Sequence, residues 1–310
     1  MSKTAIVIGC GGTIGATWIV AALHALAEQT GLDPRDADVL QGTSAGAETV
    51  TMLAGGVGVE DLVDMHRGLT DDKRLRSHIE ATPPGFPPLP KPGMLNPRLL
   101  RSERGLARMT GLAPTGRADA SWLQTLAEGL GDNAGRLPHP GARMVAFDYG
   151  SGERVAFGAP GAPPATAGEA LRASWAIPGW MPPVTVAGRR YVDGGAASTA
   201  SVDLIAADEA DVIYVIAPMA SQDTDRVPGL GGYAENIVLR RPMSRVLARE
   251  ITQVRARGTQ VVPILAARND LAGLGANFMN RSRRRAAFDS AMVTAPETVR
   301  RALTASGVHS

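Results

Sequence analysis

Gly42-Thr43-Ser44-Ala45-Gly46, preceded by the apolar pair Val39-Leu40, is the stretch of sequence that decides the fold. A Gly-x-Ser-x-Gly pattern is typical of a sharp turn from a strand into a helix, because small neighbours let the backbone bend there. The serine then lies at the N-terminus of the helix, where the helix dipole is positive. The pattern therefore predicts Ser44 as a nucleophile. Glycine makes up 36 of the 310 residues, so the surrounding sequence has to support this interpretation.

A second glycine-rich stretch, Gly-Cys-Gly-Gly-Thr-Ile-Gly at residues 9–15, lies between a predicted strand over 4–8 and a predicted helix over 16–29. Glycines leave backbone N–H groups unshielded there, and the helix N-terminus adds partial positive charge. These features favour an oxyanion hole for acyl transfer. A dinucleotide-binding loop is the alternative. Its spacing would be Gly-x-Gly-x-x-Gly with an acidic residue after the second strand, and neither is found.

A serine nucleophile needs a base, and the five histidines are poorly placed for that role. The order Ser, acid, His would leave only His309, near the C-terminus, after the candidate acid. His24 falls within the first predicted helix. His66, His78 and His139 lie in or beside a variable region, where we expect them to be solvated.

A carboxylate is the other candidate base, and Asp193 in Tyr-Val-Asp-Gly-Gly at residues 191–195 is best placed. A short apolar strand ends at Asp193, and the two glycines allow an immediate turn. A carboxyl group with an ordinary pKa of about 4 is a weak base for an alcohol. It would need proton transfer concerted with attack and strong stabilisation of the oxyanion. An ordinary Asp-Gly β-turn is the structural alternative.

Four blocks in this order resemble the patatin-like phospholipase family: residues 11–15, 42–46, 173–178 with 181–184, and 193–195. The likeness covers roughly residues 4–57 and 166–203, is weaker over 233–295, and says little about 58–165. The resemblance implies a dyad without histidine, with Ser44 as nucleophile and Asp193 as base. It places the oxyanion hole at Gly11, Gly12 and Thr13. The glycines that would support these motifs are Gly9, Gly15, Gly42, Gly46, Gly194 and Gly195.

The resemblance also implies hydrolysis of acyl esters, typically of lipids, without a metal or another cofactor. Two residues of the glycine loop depart from the family pattern: Cys10 replaces a glycine, and Ile14 replaces a basic residue. Without that charge, recognition of a phospholipid head group is less favoured, and a neutral acyl ester becomes a stronger candidate. Residues 196–202 also differ from the family pattern and would alter the wall of the site.

Composition limits the classes of partner. Apolar residues make up 44% of the chain and charged residues 20%, with a net charge of +2, so no strong field points to nucleic acid. The single Cys10 excludes an intrachain disulfide and forms no zinc-binding pattern. Residues 4–27 lack charge and resemble a signal peptide, but their glycines favour a strand, a loop and a helix. We expect a cytoplasmic protein. Transient contact with a membrane through the arginine cluster of residues 281–285 stays open.

The order of elements predicts an α/β fold, with a three-layer, mostly parallel sheet flanked by helices. We expect a single domain over 1–310 with a cap-like or variable insertion near 66–140. Residues 82–97 contain seven prolines and form either a connector or the rim of a lid. Hairpins are predicted over 143–157 and 184–192, buried strands over 211–216 and 260–265, and long helices over 233–257 and 281–293.

The sequence therefore predicts a serine esterase or lipid acyl hydrolase that acts through an acyl-enzyme on a lipid or other acyl ester. Two functions of other classes remain as alternatives. One is a non-catalytic lipid-binding or regulatory member of the fold that uses the arginine cluster. The other is a nucleotide-binding oxidoreductase that uses the glycine loop.

Overall fold

The computed structural model describes residues 2–81, 88–93, 96–100, 105–221, 225 and 227–308. One eight-stranded sheet forms the centre, with the order β5-β6-β3-β2-β1-β7-β8 and with β4 paired to β3. Its strands are β1 (Thr4–Ile8), β2 (Val39–Thr43), β3 (Ala142–Asp148), β4 (Arg154–Phe157), β5 (Val184–Val186), β6 (Arg189–Asp193), β7 (Val212–Ala217) and β8 (Gln260–Leu265).

Five strands, β3-β2-β1-β7-β8, run parallel, whereas β4, β5 and β6 pair antiparallel. The central strands are short apolar runs buried on both faces, as parallel strands covered by helices are. The predicted α/β class with a mostly parallel sheet is confirmed. Both predicted hairpins, β3–β4 and β5–β6, are also confirmed.

Helices cover the sheet, and α1 packs extensively against α12. No helix within the described ranges combines the length and apolar character that crossing a bilayer requires. The helices are α1 (Gly12–Thr30), α2 (Ala45–Ala54), α3 (Val59–Arg67), α4 (Lys73–Glu80), α5 (Pro97–Leu100), α6 (Gly105–Thr110), α7 (Ser121–Leu130), α8 (Ala167–Ser174), α9 (Gly229–Glu235), α10 (Arg241–Arg255), α11 (Arg268–Leu274) and α12 (Arg284–Ala305).

Several predicted boundaries were wrong. Helix α1 begins at Gly12, so half of the expected loop over 9–15 is already helical. The helix expected over 233–257 is α9, a π-helical segment Asn236–Arg240, and α10. Helix α12 continues past the expected end at 293, through Pro296. Part of the proline-rich stretch 82–97 lies outside the described residues, and within it Lys91 forms an antiparallel bridge with Thr115.

Candidate active site

Ser44 occupies a strained turn between β2 and α2. Its backbone φ of 57° and ψ of −120° lie where residues other than glycine are rare. Such strain persists only where the surroundings hold it, and it is concentrated at functional sites. The serine is 2% exposed, and its carbonyl accepts the first bond of α2 from the Glu48 N–H. The turn thus holds the Ser44 side chain at the carboxyl end of β2.

The sheet register brings Asp193 to the same place. Strand β4 occupies one edge of β3 at residues 144–147, so β2 and β6 must share the opposite edge. Thr43, the last residue of β2, pairs with Val145, and Asp193, the last residue of β6, pairs with Ala146. Two strands running in opposite directions therefore end next to each other on β3. Ser44 directly follows Thr43, and Asp193 is the last residue of β6, so the register brings these two residues together.

The Asp193 carboxyl group is buried and hydrogen-bonded. Its Oδ1 accepts a hydrogen bond of 2.7 Å from the Gly195 N–H, and the Ser44 side chain lies close enough to lower its pKa. Burial raises the pKa of Asp193 to about 7, although the Ser44 side chain and the Gly195 N–H oppose that shift. Near neutral pH this carboxyl group therefore exists in both protonation states, as a group that takes up and releases protons during catalysis must.

Ser174, at the end of α8, ties the Ser44 turn to the sheet. Its hydroxyl accepts a hydrogen bond of 2.9 Å from the Ser44 N–H and donates one of 2.7 Å to the Val145 carbonyl. The side chain is fully buried, so these bonds do not compete with water. Ser174 belongs to the block 173–178 noted in the sequence, but its contact with the turn could not be read from that block.

The glycine loop lies beside Ser44. Gly11 and Gly12 line the pocket that contains Ser44 and Asp193. In the described part of the chain, no backbone acceptor is recorded for the N–H groups of Gly11, Gly12 and Thr13. The Thr13 side chain points elsewhere, since it lines a separate small cleft with Glu48 and His78. The structure thus brings the predicted loop to Ser44 and leaves donors that an oxyanion could use.

The other predicted glycines permit close packing around these groups. A Cβ on Gly42 would lie 2.3 Å from the Gly46 carbonyl oxygen, and one on Gly46 would lie 2.1 Å from that of Ile8. A Cβ on Gly194 would lie 2.7 Å from the Val145 carbonyl oxygen. Gly9 packs against Thr199, Gly15 against Pro218, and Gly195 against Cys10. Their role is therefore mainly steric.

Cys10 lies beside the dyad residues, at the wall of the same pocket. Burial, with a contribution from the Asp193 charge, raises the pKa of the thiol to about 12. Its sulfur contacts the Thr199 hydroxyl at 3.2 Å. The thiol is therefore protonated and unreactive as a nucleophile at neutral pH.

The pocket that contains Ser44 and Asp193 has a volume of about 240 Å³. Five segments distant in sequence contribute apolar walls, and one of them consists of the end of α6 and the residues just after it. Sequence reasoning did not identify these walls. Their larger apolar members are Met109, Ile177, Met219, Leu239, Met243 and Phe278.

The prediction that the histidines near the insertion are solvated was wrong for two of them. His66 is buried and stacked on Phe288, and burial lowers its pKa to about 3. His78 is buried with its Nε2 2.8 Å from Glu48 Oε1. His139 is half-buried, with Nε2 2.8 Å from the Ala37 carbonyl. Of the four histidines in the described ranges, none lines the pocket.

The arginine cluster of residues 281–285 is largely engaged within the chain. Arg283 donates to the carbonyls of Gly273 and Leu274, and Arg284 donates to the carbonyl of Ile79. Arg285 pairs with Asp289. These contacts give the cluster a structural role, so it gives little support to the lipid-binding alternative.

No group of three or more His, Cys, Asp or Glu side chains within the described ranges is arranged to hold a metal ion. The charged side chains nearest the dyad are accounted for by protein contacts. The Arg240 guanidinium, for example, donates to the Pro218 carbonyl at 2.7 Å and pairs with Glu235 at 3.0 Å.

Comparison with known proteins identifies one family. The family model described as patatin-like phospholipase matches residues 6–207, about two thirds of the chain. Among solved structures, the chain is similar to VipD from Legionella pneumophila, with 16% identity, 96% of this chain and 67% of that chain covered, and a TM-score of 0.38. No curated protein sequence matches the chain significantly.

Proposed function

Because the chain belongs to the patatin-like phospholipase family, a family of lipid acyl hydrolases, we propose that it cleaves carboxylic esters through an acyl-enzyme on Ser44. The observation that carries this proposal is that Ser44 and the buried Asp193 carboxyl group lie in one pocket, close enough for the Ser44 side chain to lower the pKa of Asp193. The family membership establishes the general kind of enzyme. The dyad and its substrate are our inference from the geometry of the site.

In the proposed reaction, the Ser44 oxygen attacks the acyl carbon as its proton passes to the Asp193 carboxylate. The negative charge that develops on the carbonyl oxygen is stabilised by the N–H groups of Gly11 and Gly12. The alcohol leaves with the proton from Asp193, and the acyl-enzyme remains. Asp193 then removes a proton from water as the water oxygen attacks the acyl carbon. When the bond between the acyl carbon and the Ser44 oxygen breaks, that proton passes from Asp193 to the Ser44 oxygen, so the acid product leaves and both residues are regenerated.

The pocket favours an acyl chain as the bound part of the substrate. Its walls are methionine, leucine, isoleucine, proline and phenylalanine side chains, and no basic side chain of the described residues lines it. Ile14 stands in the loop where a basic residue was expected, and it is buried. These features favour neutral acyl esters, because the described residues offer a phosphate head group no basic side chain inside the pocket.

The insertion near 66–140 has a place in this proposal. Met109, Thr110 and Ala113 lie on the pocket wall, so the inserted segment shapes the acyl site within one domain over 1–310. A cytoplasmic location and the absence of a nucleic-acid partner remain our expectations from the sequence.

A fluorophosphonate probe tests the nucleophile directly. We expect the probe to label the native chain once, on the peptide that contains Ser44, as found by mass spectrometry. The Ser44→Ala variant should not be labelled, whereas Ser198→Ala, which removes another buried serine, should be labelled like the native chain. Labelling that survives in Ser44→Ala would contradict the proposal.

The pH dependence of turnover should report Asp193. Only the ionised carboxylate accepts the serine proton, and its pKa is about 7. We therefore expect kcat/KM for a soluble ester to rise about tenfold per pH unit below pH 7 and to level off above it.

Two controls assign the group whose titration causes this rise in kcat/KM, which is the acidic limb of the pH profile. Cys10, with a pKa of about 12, does not titrate in this range. Burial raises the pKa of Glu250 to about 7 as well, but it lies outside the pocket and pairs with Arg154 at 2.7 Å. Glu250→Gln should leave the midpoint of the limb unchanged. A midpoint near 4 in the native chain would contradict a buried carboxylate base.

A further inference from the structure

Large apolar side chains are exposed mainly on two segments that also contribute to the wall of the pocket. Of the nine in the described residues, six lie on two segments, 105–113 and 229–240. Both segments also supply pocket walls, through Met109 and Leu239. We define the rim surface by the exposed residues at or next to those wall residues: Met109, Leu112, Ile237 and Val238. Leu230 and Tyr233 border a separate pocket and are not part of it.

The π-helical segment explains how one short stretch serves both surfaces. Within Asn236–Arg240, Ile237 and Val238 are 45% and 46% exposed, Leu239 lines the pocket, and Arg240 is buried. The bonds of Arg240 to Glu235 and to the Pro218 carbonyl hold this geometry in place. π-Helical turns are rare and are frequent at functional sites. Here the turn directs two adjacent apolar side chains outward beside a third that faces the acyl site.

The charge of these two segments and of the few residues that follow each is of one sign. Over residues 105–117 and 229–245 the only acidic residue is Glu235, which is buried against Arg240. The exposed ionisable residues of these segments are all arginines: Arg108, Arg117, Arg241 and Arg245. Apolar side chains mixed with arginines match the chemistry of an anionic lipid surface, where the former enter the acyl boundary and the latter meet the head groups.

We propose that the rim surface docks onto an anionic phospholipid membrane, with the pocket opening toward the bilayer. The apolar surface is continuous with the acyl pocket, so a lipid ester could pass from the bilayer to Ser44 without crossing water. The arginine cluster of residues 281–285 is not the contact. The assignment of the pocket as an acyl site rests on the proposed function, but the docking is measured without turnover.

The test measures how much of the full chain carrying Ser44→Ala sediments with lipid vesicles. The vesicles contain phosphatidylcholine either alone or mixed with phosphatidylglycerol. We expect binding to the anionic vesicles that weakens as salt is raised. Adding Ile237→Glu and Val238→Glu should weaken binding by about tenfold or more, because both apolar contact and charge complementarity are lost. Arg241→Glu with Arg245→Glu should weaken binding to the anionic vesicles as well.

The matched control is the double variant Leu69→Glu with Val293→Glu, which introduces the same two negative charges outside the rim surface. The side chains that it replaces are exposed apolar ones, 66% for Leu69 and 80% for Val293. It should bind vesicles within about twofold of the parent. Melting curves for both double variants show whether each is folded. Binding that is equal in the rim variant and the control would overturn the proposal. So would the absence of binding to anionic vesicles by the parent.

Two further outcomes separate this proposal from its alternatives. In chains that retain Ser44, the rim variant should hydrolyse a short soluble ester like the native chain but lose activity on a neutral acylglycerol carried in the anionic vesicles. If the native chain hydrolyses no ester, the proposed function fails while the sedimentation result still decides docking. A concentration-dependent dimer in light scattering that dissociates in the rim variant would assign this surface to a second copy of the chain and overturn membrane docking.

Discussion

Asp193→Asn should lower kcat/KM for ester hydrolysis by about 10⁴-fold while leaving the fold intact. Asparagine has nearly the same shape and can accept the 2.7 Å bond from the Gly195 N–H, but it cannot take up the Ser44 proton. The measurement is turnover of a soluble aryl ester, with kcat and KM determined separately. Because the loss arises in the chemical step, we expect it in kcat.

The same substitution should stabilise the protein above pH 7. Asp193 has a pKa of about 7 in the folded chain against an ordinary value of 3.8, so folding favours its protonated form. The stability it contributes is complete below about pH 4 and is lost as pH rises through 7. Asparagine stays neutral, so at pH 8 the variant should be more stable by up to about 4 kcal/mol.

Urea unfolding at pH 5 and pH 8 measures this effect. The control is Asp119→Asn, where the hydrogen bonds from Ser121 lower the pKa of the carboxyl group, so its loss should bring no gain at pH 8. A variant that lost turnover without gaining stability at pH 8 would show that the native carboxylate is well solvated. A variant that retained turnover would exclude Asp193 as the base.

The candidate dyad could be predicted because Ser44 and Asp193 each lie in a short sequence pattern that indicates their local structure. Ser44 lies in a pattern of small residues between an apolar strand and a helix, and Asp193 ends an apolar strand before two glycines. The sheet class followed from alternating strands and helices, which the hydrophobic pattern shows directly. Membership of the family then joined two motifs that are about 150 residues apart, a separation that no local rule spans.

The supporting contacts could not be predicted, because they depend on how distant segments pack. Ser174 reaches the Ser44 N–H from another helix, and nothing in its neighbours marks that contact. His66 and His78 are buried because Phe288 and Trp122 pack on their rings. The sequence around each histidine is polar, which is why it indicated solvent. Likewise, the π-helical segment around Leu239 has an ordinary helical pattern.

Gly46→Ala should destabilise the protein by about 3 kcal/mol or more. Probe labelling at Ser44 should fall in proportion to the fraction of protein that is unfolded. The added Cβ would lie 2.1 Å from the Ile8 carbonyl oxygen and 2.8 Å from that of Gly9. Both are backbone atoms, so β1 or α2 would have to move rather than a flexible side chain. Urea midpoints and the residual labelling of folded protein measure the effect.

Gly129→Ala, on the exposed face of α7, is the matched control. Its Cβ would meet only the Arg74 side chain at 3.5 Å, an ordinary contact, so alanine should stabilise the helix by about 0.5–1 kcal/mol. If Gly46→Ala lowers the free energy of unfolding and Gly129→Ala raises it, Gly46 is required because no Cβ fits at that position.

Gly46 does not have a positive φ, whereas the φ of Ser44 is 57°. The bend of the motif is therefore carried by the serine itself, and Gly46 lets α2 approach β1 closely enough to hold that bend. Equal effects of the two substitutions would contradict this division of roles.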